Sequence, residues 1–316
     1  MGPLLGLWAF VSLWKLLHNQ DDLETSWLLI RKVLTGENAF ILIIFIGLML
    51  LNWWLEIRKW QILVMPYEKV RFFDALKAVM GSLAFGIATP NRIGEYGFRS
   101  LYLMPENRKT GVLLTILSSL AQLVFTLTFG VLAVTYWLAK HPAISQAPSF
   151  SLWLLLSILL LLITGGFLFI AFFKLSLLYK LSERIRFLRT IVPSFEAVKL
   201  ITISLRIRVL LLSSLRYAVF IMQYILIWKF FDAGLTWQES SITSAIIFLL
   251  MAFVPTIALA ELGIRGQVSV WVAGIFTQNY LAIVTGTTLI WVINLFLPAL
   301  FGSLLLWSFR VKRTKQ

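Results

Sequence analysis

Residues Gly81 to Ser100 read GSLAFGIATPNRIGEYGFRS. A short apolar run stops at Thr89-Pro90. Asn91, Arg92, Glu95 and Arg99 follow, interleaved with Gly94 and Gly97, and apolar sequence resumes after Lys109. Residues Phe253 to Gln267, FVPTIALAELGIRGQ, have a similar build: a short apolar run with Pro255, then Glu261, Gly263, Arg265 and Gly266. Charges this close to membrane depth are costly and face a cavity or a partner group. These two elements are therefore the expected centre of the protein, and the rest its scaffold.

Working outward, 59% of the 316 residues are hydrophobic. Apolar stretches of about 18 residues or more recur along the chain, the mark of a polytopic helical membrane protein. A transmembrane β-barrel would instead show short alternating segments, and none appear. The net charge of +14 fits basic cytoplasmic loops and attraction to anionic lipid better than nucleic-acid binding. The absence of cysteine excludes disulfides and thiol chemistry. With only His18 and His141, a histidine metal site or proton relay is not expected. No nucleotide loop, metal-ligand cluster or nucleophile–base pair stands out, so no cofactor is expected and an enzymatic role is left open.

The expected spans are about 3–18, 38–57, 110–139, 150–173, 209–231 and 279–309. The first could also be read as a signal peptide, but it lacks a basic leading region and a small-residue cleavage site. Arg58 and Lys59 are placed just after the second span. Residues 174–208 mix eight basic residues with leucines and isoleucines, which suits either amphipathic interfacial helices or an ordinary cytoplasmic loop. Trp53, Trp54, Trp60, Trp137, Trp153 and Trp307 are read as interfacial belt residues. Arg216, inside its span, is expected to snorkel or to form an internal salt bridge.

The basic segments 56–71, 174–208 and 310–316 belong on the cytoplasmic side under the positive-inside rule. That assignment holds only if 73–109 and 241–278 each leave and return on one face. Each is then a re-entrant hairpin or a pair of short crossings. Length favours re-entry: Ala78 to Pro90 is 13 residues, about 20 Å of helix against roughly 30 Å of hydrocarbon. The expected fold is all-α: about six spanning helices plus two inverted re-entrant hairpins. They form a single integral domain over 1–316, with N- and C-termini cytoplasmic. Opposed broken helices point to inverted repeats, centred on 73–109 and 241–278, around a midplane binding site.

If 93–105 is helical, Glu95 and Arg99 share a face and Arg92 lies one turn earlier. Guanidinium groups suit phosphate because they donate two parallel hydrogen bonds. The candidate substrate-binding set is Asn91, Arg92, Glu95, Arg99, Glu261 and Arg265. The plainer alternative is a surface loop with an ordinary salt bridge at the first motif and a polar turn at the second.

The run Pro90-Asn91-Arg92-Ile93-Gly94-Glu95-Tyr96-Gly97-Phe98-Arg99 resembles the Pro-Gly-Arg-x-Gly-Glu-x-x-x-Arg pattern of the lysylphosphatidylglycerol synthase transmembrane-region family, the flippase-like domain proteins. Asn91 stands where the family has glycine. Pro255 and Glu261-Leu262-Gly263-Ile264-Arg265-Gly266 match that family's later motif in part, with the carboxylate before the arginine rather than after it. Asn52 to Trp60 is similar to the family's second-helix ending. The resemblance implies a membrane domain that moves lipids between leaflets. The soluble aminoacyltransferase domain of the bifunctional members has no counterpart before Gln316.

The expectation is therefore a flippase-like transporter in the cytoplasmic membrane. It would move an anionic, aminoacylated or glycosylated lipid through a central cavity. The partners are that lipid, no nucleic acid, and a second copy of the chain if it is a homo-oligomer. The alternatives are a membrane-embedded transferase acting on a polyprenyl phosphate or glycolipid, and a non-transporting partner of a lipid-modifying enzyme.

Overall fold

The computed structural model describes residues 39–87, 89, 92–140, 150–173, 200–254 and 258–306. The expected first span, the acidic loop 19–37, the loop 141–149, the basic stretch 174–199, Pro90, Asn91, Pro255, Trp307 and the basic tail lie outside these residues.

Regular structure among the described residues is helical throughout. The helices are α1 (Ala39–Val64), α2 (Phe72–Ile87), α3 (Ile93–Ser100), α4 (Arg108–Lys140), α5 (Phe150–Phe173), α6 (Ile203–Phe230), α7 (Trp237–Phe253), α8 (Ala258–Ala273), α9 (Tyr280–Trp291) and α10 (Leu297–Leu305). A single 3₁₀ turn, Pro105–Asn107, precedes α4, and a π-helical segment, Val292–Phe296, joins α9 to α10. Among the described residues, three segments are long and apolar enough to cross a membrane: Pro105–Lys140, Ile203–Phe230 and Tyr280–Leu305. Trp237–Phe253 is apolar but shorter.

The order long helix, broken hairpin, long helix occurs twice: α1, α2–α3, α4, and again α6, α7–α8, α9–α10. The local chemistry explains the first break and the start of the second hairpin. Thr89 plugs the first turn: its Oγ1 accepts from Gly94 N at 2.9 Å and donates to the Gly86 carbonyl at 3.2 Å. Arg92 follows in the left-handed region, φ 55° and ψ 30°, which no straight helix contains. At the second hairpin, Thr236 and Glu239 cap the start of α7 reciprocally, satisfying backbone donors that would otherwise be orphaned.

Three expectations change, and one plainer alternative is set aside. Helix α1 continues to Val64 rather than ending near 57. Lys59 is buried inside it, next to a carboxylate one turn away, so its charge does not end the helix. Helix α6 begins at Ile203, so Arg206 belongs to it. Arg206 Nη1 donates to the Phe173 carbonyl at 2.9 Å and covers the C-terminal end of α5. The second motif is helical through Ala273 rather than a polar turn. Trp60 and Trp137 are not belt residues. Each is buried and donates its indole N–H within the protein, Trp60 to Thr115 at 3.2 Å and Trp137 to the Val272 carbonyl at 3.0 Å.

The chain divides into two compact units. Unit 1 takes the described residues within Met1–Asn52, Phe129–Ser157 and Ala218–Leu297; unit 2 takes those within Trp53–Thr128, Ile158–Tyr217 and Pro298–Gln316. The dividing positions fall inside α1, α4, α5, α6 and α10. By contrast α7–α8 belongs wholly to unit 1 and α2–α3 wholly to unit 2.

In unit 1 the core gathers Phe45, Tyr224, Trp228, Ile247 and Ile283. Gly286 lets the Trp228 indole lie against α9, where a Cβ would stand 2.8 Å from the ring. Asn52 donates to Asn294 at 3.4 Å, and Asn294, within the π segment, donates to the Ile290 carbonyl at 3.2 Å. In unit 2, α10 runs directly against α2, because a Cβ at Gly302 would fall on the Met80 carbonyl. Glu68 fastens the turn before α4, accepting from Met104 N at 2.8 Å and Asn107 Nδ2 at 3.3 Å.

Candidate functional site

The site in unit 2 is built on the second arm of its hairpin. Glu95 and Arg99 stand one turn apart on α3, and Arg92 precedes that helix in its left-handed turn. Arg99 is 4% exposed, and each part of its guanidinium is engaged. Nη1 donates to Glu56 Oε1 on α1 at 2.7 Å, Nε to Ser82 Oγ on α2 at 3.0 Å, and Nη2 to Glu95 Oε2 at 3.4 Å. Ser82 in turn donates to the Val79 carbonyl at 2.7 Å, which fixes its lone pairs toward the arginine.

Glu56 is the hub. Its Oε2 lies 2.9 Å from Lys59 Nζ and 2.9 Å from Arg216 Nη1. Lys59 also donates to the Ser118 carbonyl at 3.3 Å. The Trp53 ring lies 5.6 Å from the Arg216 guanidinium carbon, within the range of a cation–π contact. Burial makes the network sensitive to losing a member. Removing one partner of a buried pair typically costs about 3–5 kcal/mol, because the other charge is left in low dielectric.

Glu95 is held differently. Its Oε1 is buried and has no hydrogen-bond partner among the described residues. Room for the carboxylate comes from Gly86 on the opposite arm, where a Cβ would stand 2.5 Å from Glu95 Cγ and 2.6 Å from Oε1. Arg92, half-buried, acts on Glu95 through its charge. The network therefore sets Lys59, Arg92, Arg99 and Arg216 against Glu56 and Glu95, leaving an excess of two positive charges. Such an excess away from bulk water favours an anionic ligand.

The second motif builds a counterpart in unit 1. Arg265 Nη2 is paired to Glu261 Oε1 at 2.5 Å, and Nη1 donates to Tyr224 Oη on α6 at 3.2 Å. In both hairpins the second arm carries a glutamate and an arginine four residues apart. In both, the arginine reaches back to a side chain on the long helix that precedes the hairpin, Glu56 or Tyr224. Unlike the first network, the Glu261–Arg265 pair is balanced in charge.

Of the residues expected from sequence, Arg92, Glu95 and Arg99 come together in unit 2, and Glu261 pairs with Arg265 in unit 1. Asn91 lies outside the described residues. Arg216 forms an internal salt bridge, one of the two outcomes expected of it. Glu56, Lys59 and Ser82 were not anticipated. The signal for the first two was a glutamate and a lysine three apart in the apolar run 39–64, a spacing that puts them on one helical face.

No family model, curated protein or solved structure matches the chain.

Proposed function

We propose that the protein is a flippase-like lipid transporter of the cytoplasmic membrane, related to the flippase-like family that its first motif resembles. The observation that carries this reading is the excess of buried positive charge around Glu56, assembled on a broken hairpin. Arg92 would meet the phosphate of an anionic headgroup, Arg99, Arg216 and Lys59 would keep the site positive, and Glu95 would offer its unbonded oxygen to a headgroup donor.

The hairpins support a re-entrant reading. Helices α2 and α8 have 16 residues each and α3 has 8, so α2 and α8 are each about 24 Å long against roughly 30 Å of hydrocarbon. Each hairpin also belongs wholly to one unit, whereas α1, α4, α5 and α6 contribute to both. Backbone broken at membrane depth is tolerated where it is buried in protein or lines a wet cavity. About six spans with both termini cytoplasmic are consistent with an inverted repeat of this kind.

The test is leaflet exchange of labelled phosphatidylglycerol in proteoliposomes, comparing wild type with Arg92→Ala and Arg92→Lys. Exchange above empty liposomes, lost in the alanine variant and partly kept in the lysine variant, is expected. Exchange no faster than in empty liposomes, across glycerophospholipids and polyprenyl phosphates, overturns the transporter reading and favours a transferase or a docking subunit.

A further inference from the structure

The charged side of α3 has an apolar neighbour. Gly94, Phe98 and Leu101 follow one another at helical spacing, beside Arg92, Glu95 and Arg99. They line an open pocket of about 270 Å³ together with Phe85 of α2 and Leu306 at the end of α10. Its walls are fixed. Phe85 and Phe98 stack across the hairpin with centroids 4.5 Å apart. A Cβ at Gly81 would stand 2.8 Å from the Phe98 ring and 3.0 Å from Leu306, so the bare glycine backbone keeps both side chains in place. Phe85 is 46% exposed, so the pocket has an apolar rim as well as an apolar lining.

Adjacent residues thus serve two chemistries. Gly86 makes room for the Glu95 carboxylate, while Phe85 walls the pocket. Gly94 and Phe98 line the pocket, while Glu95 and Arg99 hold charge. An amphiphile with an anionic head and a hydrocarbon tail matches both sides at once. A free anion would leave the pocket unused, and a neutral lipid would leave the positive charge unanswered.

Building on the anionic-headgroup reading above, we infer that the pocket between α2, α3 and α10 seats one hydrocarbon chain of the same lipid whose phosphate meets Arg92. The lipid then reaches the charged network sideways from the bilayer, tail first against Phe85 and Phe98. The hairpin reads both ends of its ligand, and chain bulk at this point becomes a determinant of selection alongside headgroup charge.

The experiment fills the pocket from two walls, with Leu101→Trp and Leu306→Trp as separate variants and Leu101→Ala as the enlarged control. Exchange of labelled phosphatidylglycerol is measured in proteoliposomes, with glycerophosphoglycerol, its chain-free counterpart, as competitor. Both tryptophan variants are expected to slow exchange at least fivefold. Leu101→Ala, which widens the pocket, should slow exchange less than Leu101→Trp. Glycerophosphoglycerol should inhibit the residual exchange at its wild-type concentration, because the headgroup site is intact. Wild-type rates in both tryptophan variants overturn the chain seat and leave the headgroup reading standing. Loss of glycerophosphoglycerol inhibition together with the rate also overturns it, since the substitutions then act on the headgroup site. Failure of wild-type protein to exceed empty liposomes removes the headgroup reading and this inference with it.

Discussion

Arg99 is held more closely by Glu56, 43 residues earlier and 2.7 Å away, than by Glu95, four residues earlier and 3.4 Å away. The longer-range partner is the stronger one. The local glutamate–arginine pair is therefore the minor half of a tertiary network, and its carboxylate is left with an oxygen to spare.

Removing the hub should be costly. Glu56→Ala is expected to destabilise the protein by about 3–5 kcal/mol, since several buried cations lose their shared counter-ion. Glu95→Gln should cost about 1 kcal/mol, the scale of a single hydrogen bond. Equilibrium unfolding in mixed micelles measures both. Equal losses would mean that Glu56 is not the organising carboxylate.

Gly86 and Glu95 should behave as one packing unit. Gly86→Ala drives a methyl into the Glu95 side chain, and overpacking of this kind costs about 1–3 kcal/mol. Shortening the opposing side chain should recover much of that loss, so Gly86→Ala with Glu95→Ser is expected to be more stable than the two single effects added together. A double-mutant cycle reads the coupling, and strict additivity would show that the arms do not meet there.

Two glycines in unit 2 should respond oppositely. Gly302→Ala places its methyl on the Met80 carbonyl and should cost about 1–3 kcal/mol by forcing α10 off α2. Gly97, exposed within α3, has nothing within 4 Å of an added Cβ, so Gly97→Ala should gain about 0.5–1 kcal/mol from helix propensity. Thermal midpoints moving in the same direction would contradict this packing.

Arg92 sits where its backbone favours glycine. Arg92→Gly and Arg92→Ala remove the same charge, and both should abolish anionic-lipid exchange. The left-handed conformation costs a residue with a Cβ about 1–2 kcal/mol, against about 0.5–1 kcal/mol for the glycine's extra chain entropy. The glycine variant should therefore be the more stable of the two by up to about 1.5 kcal/mol. An alanine variant as stable as the glycine variant would mean that the turn relaxes when the side chain is cut back.

The helical class and the pairing of short helices at the two motifs were legible because they rest on local signals. Apolar run length, Thr89-Pro90 and the four-residue spacing of Glu95 and Arg99 act within one or two turns. The hub was not legible. Glu56 and Lys59 look like a charged span end, because in a linear reading a charge beside Trp60 marks an interface. What keeps them inside is Arg99 and Arg216, contributed by helices far along the chain. The tryptophans misled for the same reason: Trp60 and Trp137 lie near expected span ends, yet Thr115 and the Val272 carbonyl give their N–H groups a partner indoors.

The sharing of Glu56 also sets a timetable for biosynthesis. The residue is made 43 positions before Arg99 and 160 before Arg216. At about 5–20 residues per second, the last of these partners follows by roughly 8–32 s. Until Arg92 and Arg99 are made, Lys59, one turn away on the same helix, is the only network counter-ion already present. Since an isolated charge at a helix centre opposes insertion by about 2.5–3.5 kcal/mol, Lys59 would act as the chaperone of its own helix before becoming part of the site. Lys59→Ala should then lower insertion of α1 from truncated nascent chains more than from full-length ones, as read by glycosylation mapping. Equal insertion at both lengths would show that the helix does not need an escort.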